Sequence, residues 1–335
     1  MGANQETVNP VSLVFGPVPS RRLGRSLGIN NVSPKTCSYS CVYCQLGPTS
    51  KTRIKRCPFH TPEEVVKAVR SRLLDAQRRG EEVDYLTFVP GGEPTLDAGL
   101  GQEIKGLKDL GLPIAVITNA SLLYREDVRE ELSWADWVSL KADAGREATW
   151  KRINRPHKAL FLEEIQAGIL EFAHIFSGTL TTETMLVFGM NDSLKELCLI
   201  ASFLEEVKPD VAYLSIPTRP PTESWVKPPA EEVLVQAYAI FAEHLPRVEL
   251  LIGYEGNAFA ASGDAVEDLL SIAAVHPMRE EAVRELLAED GASWKVVEDL
   301  MKAGVLLRLE YGGHKFYLRA LPGRGRQKEG SDAMG

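Results

Sequence analysis

Short apolar segments rich in β-branched residues alternate with amphipathic segments along most of this chain. The apolar segments predict strands at 26–30, 84–90, 113–119, 137–143, 179–188 and 211–217. The amphipathic segments predict helices at 61–79, 99–111, 122–133, 161–175, 193–207 and 229–245, the first of which begins with the start signal Thr-Pro-Glu-Glu. Because strands that alternate with helices form parallel sheets with right-handed crossovers, these six units predict an α/β fold, a partial (βα)6 TIM-like barrel. Residues at the carboxyl ends of its strands are then the candidates for chemistry.

The pattern changes after a further strand candidate at 248–254. Three short helix candidates at 264–274, 278–289 and 293–303 precede two strand candidates, 305–310 and 315–319, which flank a tight-turn pair of glycines. Three helices and a hairpin predict a small C-terminal winged-helix-like domain. The chain is thus divided into an N-terminal extension (1–25), a core barrel (26–255), a winged-helix-like domain (264–321) and a tail (322–335) whose glycine and charge content predicts disorder.

Composition places the chain among globular proteins that can bury a large core, since 44% of its 335 residues are hydrophobic. The sequence has no apolar run of 18 residues and no signal-peptide pattern in its first 20, so we expect no membrane partner and a cytoplasmic location. Three of its five cysteines fall within eight residues, which is not typical of a disulfide framework. A reducing compartment would keep these thiols available for a metal.

The three clustered cysteines, Cys37, Cys41 and Cys44, follow the first predicted strand in the sequence Cys-Ser-Tyr-Ser-Cys-Val-Tyr-Cys. Three soft thiolates in one short loop are suited to bind three irons of a [4Fe-4S] cluster. Because a fourth cysteine at matching spacing is missing, the fourth iron would be open to an external chelating ligand. The alternative is a non-enzymatic module, a structural or regulatory iron–sulfur or zinc site completed by a distant histidine or by Cys57.

This loop resembles the Cys-x-x-x-Cys-x-x-Cys signature of the radical S-adenosylmethionine (SAM) superfamily, and the resemblance extends to about residue 220. It implies that the three cysteines hold one [4Fe-4S] cluster whose open iron binds SAM. Gly91, Gly92 and Glu93, after the second strand, are similar to the family's GGE motif. In that motif the backbone and the glutamate carboxylate receive the SAM amino group, and glycines permit the close approach.

The resemblance also implies roles for residues near the next strand and inside the cysteine loop. Thr118 and Asn119 end the third strand, where family members contact the SAM carboxylate and ribose hydroxyls. Tyr43, between the second and third cysteines, matches an aromatic position that packs near the adenine. These residues are therefore expected to bind SAM.

Ser139, Lys141 and Asp143 end the fourth strand, at another position where family members contact SAM. Strand alternation puts the three side chains on one face, which is the inner face if the intervening apolar residues face the helices. The other interpretation is an internal ion pair of Lys141 with Asp143 or Glu183.

As a member of this family the chain would be an enzyme that takes an electron from an external one-electron donor and cleaves SAM. The products would be methionine and a 5′-deoxyadenosyl radical that abstracts hydrogen from the substrate. The stretch 152–157, Arg-Ile-Asn-Arg-Pro-His, resembles the wyosine-synthase type of tRNA-modifying members. Those members hold a second cluster on additional N-terminal cysteines, but no cysteine precedes Cys37, so a single cluster is expected. Cys198, on an apolar helix face, is expected in the core.

Charge distribution bears on the substrate. The chain has a net charge of −8, but residues 1–56 carry eight basic side chains and one acid, which gives +7 and leaves −15 for the rest. The basic residues are Arg21, Arg22, Arg25, Lys35, Lys51, Arg53, Lys55 and Arg56. Together with Arg219 they predict contact with a polyanion, so the first substrate hypothesis is RNA, in particular tRNA.

The second hypothesis is an activase or modifier of a protein or peptide, because winged-helix domains bind proteins as well as nucleic acids. The helix at 293–303 balances two lysines against two acids and is a poor phosphate binder. Arg308, Lys315 and Arg319 of the hairpin are better candidates for phosphate contacts.

Overall fold

The central element is an eight-stranded sheet with strand order β1 to β8, seen in a computed structural model that describes residues 12–253, 256–257, 259 and 261–320. Strand β1 runs antiparallel to β2, and every later neighbouring pair is parallel. The strands are β1 (Val14–Ser20), β2 (Gly24–Ile29), β3 (Tyr85–Phe88), β4 (Ile114–Thr118), β5 (Trp137–Lys141), β6 (Thr179–Met185), β7 (Val211–Ser215) and β8 (Val248–Leu251).

Helices cover the outer face of this sheet. They are α1 (Pro62–Arg78), α2 (Leu100–Leu107), α3 (Glu126–Leu132), α4 (Glu147–Ile153), α5 (Leu162–Ile175), α6 (Leu194–Val207) and α7 (Glu231–His244). Helix α1 begins at the expected signal, since Thr61 and Glu64 form a reciprocal capping box. Alternate strand residues such as Leu27, Leu86 and Val138 are fully buried in the core between sheet and helices. Hydrophobic burial on this face therefore fixes which side chains point inward.

The sheet curves, because side chains from distant strands meet on its inner face. Arg22, in the turn before β2, reaches Glu183 on β6 and lies over the rings of Trp137 on β5 and Tyr213 on β7. Arg21 in the same turn donates to the carbonyl oxygen of Leu251 in β8, at 2.6 Å. The β1–β2 turn thus bridges to the last strand, which gives a TIM-like partial barrel.

A smaller unit follows β8. It contains α8 (Ala265–Val275), α9 (Glu280–Glu289), α10 (Lys295–Lys302) and a three-stranded antiparallel sheet of order β10-β11-β9, with β9 at Met278–Arg279, β10 at Leu306–Tyr311 and β11 at His314–Arg319. Its core includes Phe15 and Val18 of β1, so it packs directly on the edge of the large sheet. None of the described helices has the length and hydrophobicity needed to cross a membrane.

The predicted α/β fold is confirmed, with β2 to β7 at the six predicted strand positions and β8 at the seventh. Three elements were not predicted: β1 within the N-terminal extension, the short helix α4, and β9, which takes the first two residues of the helix predicted at 278–289. Strand β1 lacks a sequence signal because a glycine–proline pair interrupts it. The domain boundaries stay predictions, and the tail at 322–335 lies outside the described residues.

Candidate functional site

The three predicted cluster ligands lie in one loop between β2 and α1. Cys37, Cys41 and Cys44 are half-buried free thiols, and a turn in which the Cys44 amide donates to the Cys41 carbonyl at 3.1 Å brings the last two together. Burial and neighbouring acidic groups raise the pKa of Cys37 and Cys41, the latter to about 12. Free thiols here therefore stay protonated, whereas coordination to a metal would favour the thiolates.

Each of the three sulfur atoms accepts a hydrogen bond from nitrogen. The donors are Tyr39 N and Asn119 Nδ2 for Cys37, both at 3.5 Å, Asn154 Nδ2 for Cys41 at 3.5 Å, and Lys35 Nζ for Cys44 at 3.8 Å. Such donors stabilise the negative charge that thiolates carry as ligands of an iron–sulfur cluster. The loop therefore fits this kind of cofactor.

The described residues do not form a closed site for a single metal ion. Among the residues that the structure describes, no three Cys, His, Asp or Glu side chains converge closely enough to hold one ion. The backbone of Cys57 lies beside the segment after the GGE motif, where it forms hydrogen bonds with Leu96 and Ala98. Cys198 is exposed on α6, so the expectation that it lies in the core is wrong: its position on the helix turns it towards solvent.

The stretch at 152–157 clamps the cysteine loop. Backbone hydrogen bonds join Val42 N to the Ile153 carbonyl at 2.9 Å, Ser40 N to the Asn154 carbonyl at 3.0 Å and His157 N to the Ser38 carbonyl at 2.8 Å. Arg155 adopts a positive φ of 44° within this clamp and pairs with Glu223. The stretch at 152–157 therefore holds the cysteine loop in place.

The GGE motif contacts the cysteine loop from the other side. Glu93 N donates to the Thr36 carbonyl at 2.9 Å and Lys35 N donates to the Gly91 carbonyl at 2.7 Å. A Cβ atom at Gly92 would lie 2.0 Å from the Thr36 carbonyl oxygen, while one at Gly91 would have no neighbour nearer than 3.6 Å. Gly92 is thus required by the contact between the two loops.

Glu93 is buried and joins the ends of two strands. Its carboxylate accepts from Thr118 Oγ1 at 2.6 Å and Asn119 N at 2.8 Å, and from the amide and hydroxyl of Thr95 at 3.1 and 2.7 Å. Burial raises the pKa of Glu93, although these four donors oppose the shift. The predicted residues Glu93, Thr118 and Asn119 therefore form one polar group beside Cys37.

A second polar group lies beside Cys41. The Tyr43 hydroxyl donates to Asp143 Oδ2, and Asp143 Oδ1 accepts from the amide of Met185 at 2.8 Å. Lys141 Nζ lies 5.2 Å from the centre of the Tyr43 ring. Tyr43, Lys141 and Asp143 are thus brought together at the carboxyl end of β5.

The inner face of β5 continues into a buried ion-pair network. Lys141 contacts Glu183 at 2.8 Å, and Arg22 contacts both Glu183, at 2.5 Å, and Ser139, at 3.5 Å. Burial alone would raise the pKa of Glu183, but Lys141 and Arg22 hold it far below its usual value. The internal ion pair of Lys141 is therefore formed with Glu183. The role of Arg22 was missed, since nothing in the sequence distinguishes it from an exposed arginine.

The basic segment is only partly available to a ligand. Arg56 pairs with Asp127 and Glu131, and Arg219 donates to Gln45 at 2.8 Å next to the cysteine loop. Lys51, Arg53 and Lys55 are exposed, and no ion pair is formed by them within the described part of the chain. Because the Arg53 amide donates to the Cys37 carbonyl at 3.0 Å, this strip of three basic side chains borders the cysteine loop.

The chain is similar to known proteins in sequence and in fold. The family model described as "Radical SAM superfamily" matches residues 32–199. A UPF0026 protein of Methanocaldococcus jannaschii is 44% identical over 316 residues, which cover 94% of this chain and 98% of that protein.

Two solved structures share the fold at low sequence identity. A radical SAM methyltransferase from Sphaerobacter thermophilus has a TM-score of 0.53 and 15% identity over 68% of this chain and 66% of that one, slightly less than two thirds of its length. A structure of TYW1 with a lysine-pyruvate adduct bound has a TM-score of 0.50 and 19% identity over 66% of this chain and 74% of that one.

Proposed function

Because this chain belongs to the radical SAM superfamily, we propose that Cys37, Cys41 and Cys44 hold one [4Fe-4S] cluster at which SAM is bound and reductively cleaved. The observation that carries this proposal is the set of N–H donors on all three sulfur atoms of one clamped loop. When bound, the cluster supplies the electron that cleaves SAM to methionine and a 5′-deoxyadenosyl radical, which abstracts hydrogen from the substrate. The electron comes from an external one-electron donor, as superfamily enzymes require a reductant.

The two polar groups beside the cysteines are proposed to hold opposite ends of SAM. The group of Glu93, Thr118 and Asn119 would receive the amino acid end, for which the carboxylate and the Gly91–Gly92 backbone provide acceptors. Tyr43 and Asp143, together with Lys141 and Ser139 of β5, would receive the adenosine end. Their hydrogen bonds to one another keep these side chains oriented before the ligand arrives.

We propose RNA, and in particular tRNA, as the substrate class. Support comes from Lys51, Arg53 and Lys55, which form an exposed basic strip beside the cysteine loop, without an acidic partner among the described residues, in a chain of net charge −8. A phosphate backbone lying along this strip would bring a nucleotide to the carboxyl ends of the strands. No other group of exposed basic side chains is needed for this proposal.

A protein or peptide substrate is the second candidate, favoured by the C-terminal unit. We propose that this unit is winged-helix-like, on the order of its three helices and its antiparallel sheet. Of the three hairpin residues predicted for phosphate contacts, Lys315 pairs with Glu280 and Arg319 is buried, whereas Arg308 is exposed. The unit contacts the cysteine loop, because Gln45 donates to the Val275 carbonyl at the end of α8 at 2.8 Å.

The cluster proposal is tested by anaerobic reconstitution of the wild-type chain and of single Cys→Ser variants at the three positions. Wild type is expected to hold about four irons and to release 5′-deoxyadenosine with dithionite and SAM, and each variant to lose both properties. Cys198→Ser on the exposed face of α6 is the matched control and is expected to behave as wild type. Tetrahedral zinc in place of iron, or no 5′-deoxyadenosine from the wild-type chain, would contradict the proposal and favour the non-enzymatic module.

The substrate proposal is tested by comparing modified nucleosides in cells with and without the gene, and by RNA binding of a Lys51→Glu, Arg53→Glu, Lys55→Glu variant. Reversal of three charges is expected to abolish salt-sensitive RNA binding while substrate-independent SAM cleavage is retained. If neither the nucleosides nor RNA binding changes, and a modified protein differs between the two strains, the second candidate replaces the first.

A further inference from the structure

Asn154 contacts three groups to which the proposed function gives separate tasks. Its Nδ2 atom lies 2.7 Å from Asp143 Oδ2, 3.3 Å from the Tyr43 hydroxyl oxygen and 3.5 Å from Cys41 Sγ. Tyr43 and Asp143 belong to the group proposed to receive adenosine, and Cys41 is a proposed iron ligand. One amide therefore joins the ligand-binding side of the site to a cluster sulfur.

The backbone of Asn154 is fixed on both sides. Its amide closes α4 by donating to the Trp150 carbonyl at 2.8 Å, and its carbonyl accepts from Ser40 N in the cysteine loop at 3.0 Å. The residue is 2% exposed, so its side chain has little room for another rotamer. Because these ties use backbone atoms, a substitution at this position leaves the clamp on the cysteine loop in place.

The side-chain amide of Asn154 faces more hydrogen-bond acceptors than it has N–H bonds to donate. An asparagine offers two N–H bonds, whereas a carboxylate, a phenol oxygen and a sulfur all face Nδ2 as acceptors. The Tyr43 hydroxyl uses its own hydrogen on Asp143, so it can only accept from Asn154. The share of N–H that reaches Cys41 must then depend on how strongly Tyr43 and Asp143 are engaged by another donor, such as ribose hydroxyls.

We propose that Asn154 is a positioning residue that couples occupation of the adenosine side of the site to the reduction potential of the cluster. A ligand that donates to Asp143 releases N–H for Cys41. A stronger N–H bond to a cluster sulfur stabilises the reduced cluster and raises its potential. The inference rests on the proposed function, and it accounts for the asparagine within the stretch at 152–157.

Asn119 serves as the internal reference. Its Nδ2 atom donates to Cys37 Sγ at 3.5 Å and to Ser38 Oγ at 2.9 Å, and it makes no hydrogen bond to Tyr43 or Asp143. Loss of either asparagine is expected to lower the potential of the SAM-free cluster. At saturating SAM, only loss of Asn154 is expected to make the SAM-induced change in potential less positive than in wild type.

The test is a redox titration of the reconstituted cluster by electron paramagnetic resonance, with and without SAM, for wild type, Asn154→Ala, Asn119→Ala and Arg152→Ala. Because SAM also binds at the open iron in the proposed function, every variant should show some change in potential with SAM. We expect this change to be equal in wild type and Asn119→Ala, and less positive in Asn154→Ala. Arg152 is exposed, contacts Met190 and lies in the same stretch, so Arg152→Ala should match wild type.

The titration reports the reduction potential of the clusters that are present, so a variant that holds less iron can still be measured. Asn154→Asp keeps the size of the side chain, removes both N–H bonds and should lower the SAM-free potential further than alanine does. A potential and a SAM response equal to wild type in both Asn154 variants would overturn the inference. A wild-type chain without about four irons or without SAM cleavage would instead overturn the proposed function.

Discussion

Replacement of Glu183 by glutamine would leave two buried cations without their anion. The carboxylate accepts from Lys141 at 2.8 Å, from Arg22 at 2.5 Å and from Ser215 at 2.8 Å, and only 11% of its side chain is exposed. Glutamine has the same shape and can still accept from Ser215, so the packing inside the barrel is conserved. The perturbation is therefore mainly the loss of one negative charge.

The expected cost follows from the burial of the cations. The side chains of Lys141 and Arg22 are 18% and 14% exposed, so water screens them little. Removal of one partner from a buried ion pair destabilises a protein by about 3–5 kcal/mol, because the remaining charge is left uncompensated. We expect a loss of this size in the free energy of unfolding of Glu183→Gln at pH 7.

The pH dependence has a definite sign. The folded-state pKa of Glu183 is depressed, so the carboxylate stabilises the fold above the unfolded-state pKa of about 4.3 and this contribution is lost as the pH falls below it. The difference between wild type and Glu183→Gln is therefore constant between about pH 5 and 7 and shrinks below about pH 4. Urea denaturation followed by circular dichroism measures both quantities.

Glu249→Gln is the control, because Glu249 pairs with Arg247 at the surface and is 39% exposed. Its loss should change the free energy of unfolding by less than about 1 kcal/mol. A cost below about 1 kcal/mol for Glu183→Gln as well, or a difference that does not shrink in acid, would refute the reasoning on the buried network.

Three further predictions concern the loops and the C-terminal unit. Gly92→Ala should lower the free energy of unfolding by more than about 2 kcal/mol and reduce iron uptake, since its Cβ would meet a carbonyl oxygen at 2.0 Å. Gly91→Ala is the control and should lower the free energy of unfolding by less than about 1 kcal/mol in the same denaturation and iron assays. Burial and Asp97 raise the pKa of Glu103 to about 9, so wild-type stability falls between about pH 5 and 9 as the unfolded chain ionises first. Glu103→Gln lacks this fall, so its stability relative to wild type should rise over that range with a slope of up to about 1.4 kcal/mol per pH unit, and a difference independent of pH would contradict the assignment. Arg219→Ala should speed hydrogen exchange in α8 several-fold, because its guanidinium links Gln45 of the cysteine loop to His276, the residue after that helix. Unchanged exchange would show that this link does not stabilise α8.

Local pattern was sufficient for most of the fold. The strands β2 to β7 were predicted because short segments with apolar or β-branched residues alternate with amphipathic segments, and α1 was predicted from its start signal. Strand β1 was missed because a glycine–proline pair interrupts it, and β9 was missed because its two residues form a strand only by pairing with β11. Helix α4 was missed because it has only seven residues and no side-chain cap that would mark its start.

The sequence by itself determined the α/β fold, the cysteine loop and the inward face of β5, because spacing and alternation act between neighbouring residues. Only the tertiary structure decided which charges are paired: Arg22 and Arg56 form internal ion pairs, while Lys51, Arg53 and Lys55 form none with the residues that the structure describes. It alone brought Asn154 to Cys41, 113 residues away in the chain. Hydrogen bonds between such distant residues depend on how the strands and loops pack together, and that packing is a property of the whole sequence and not of any motif.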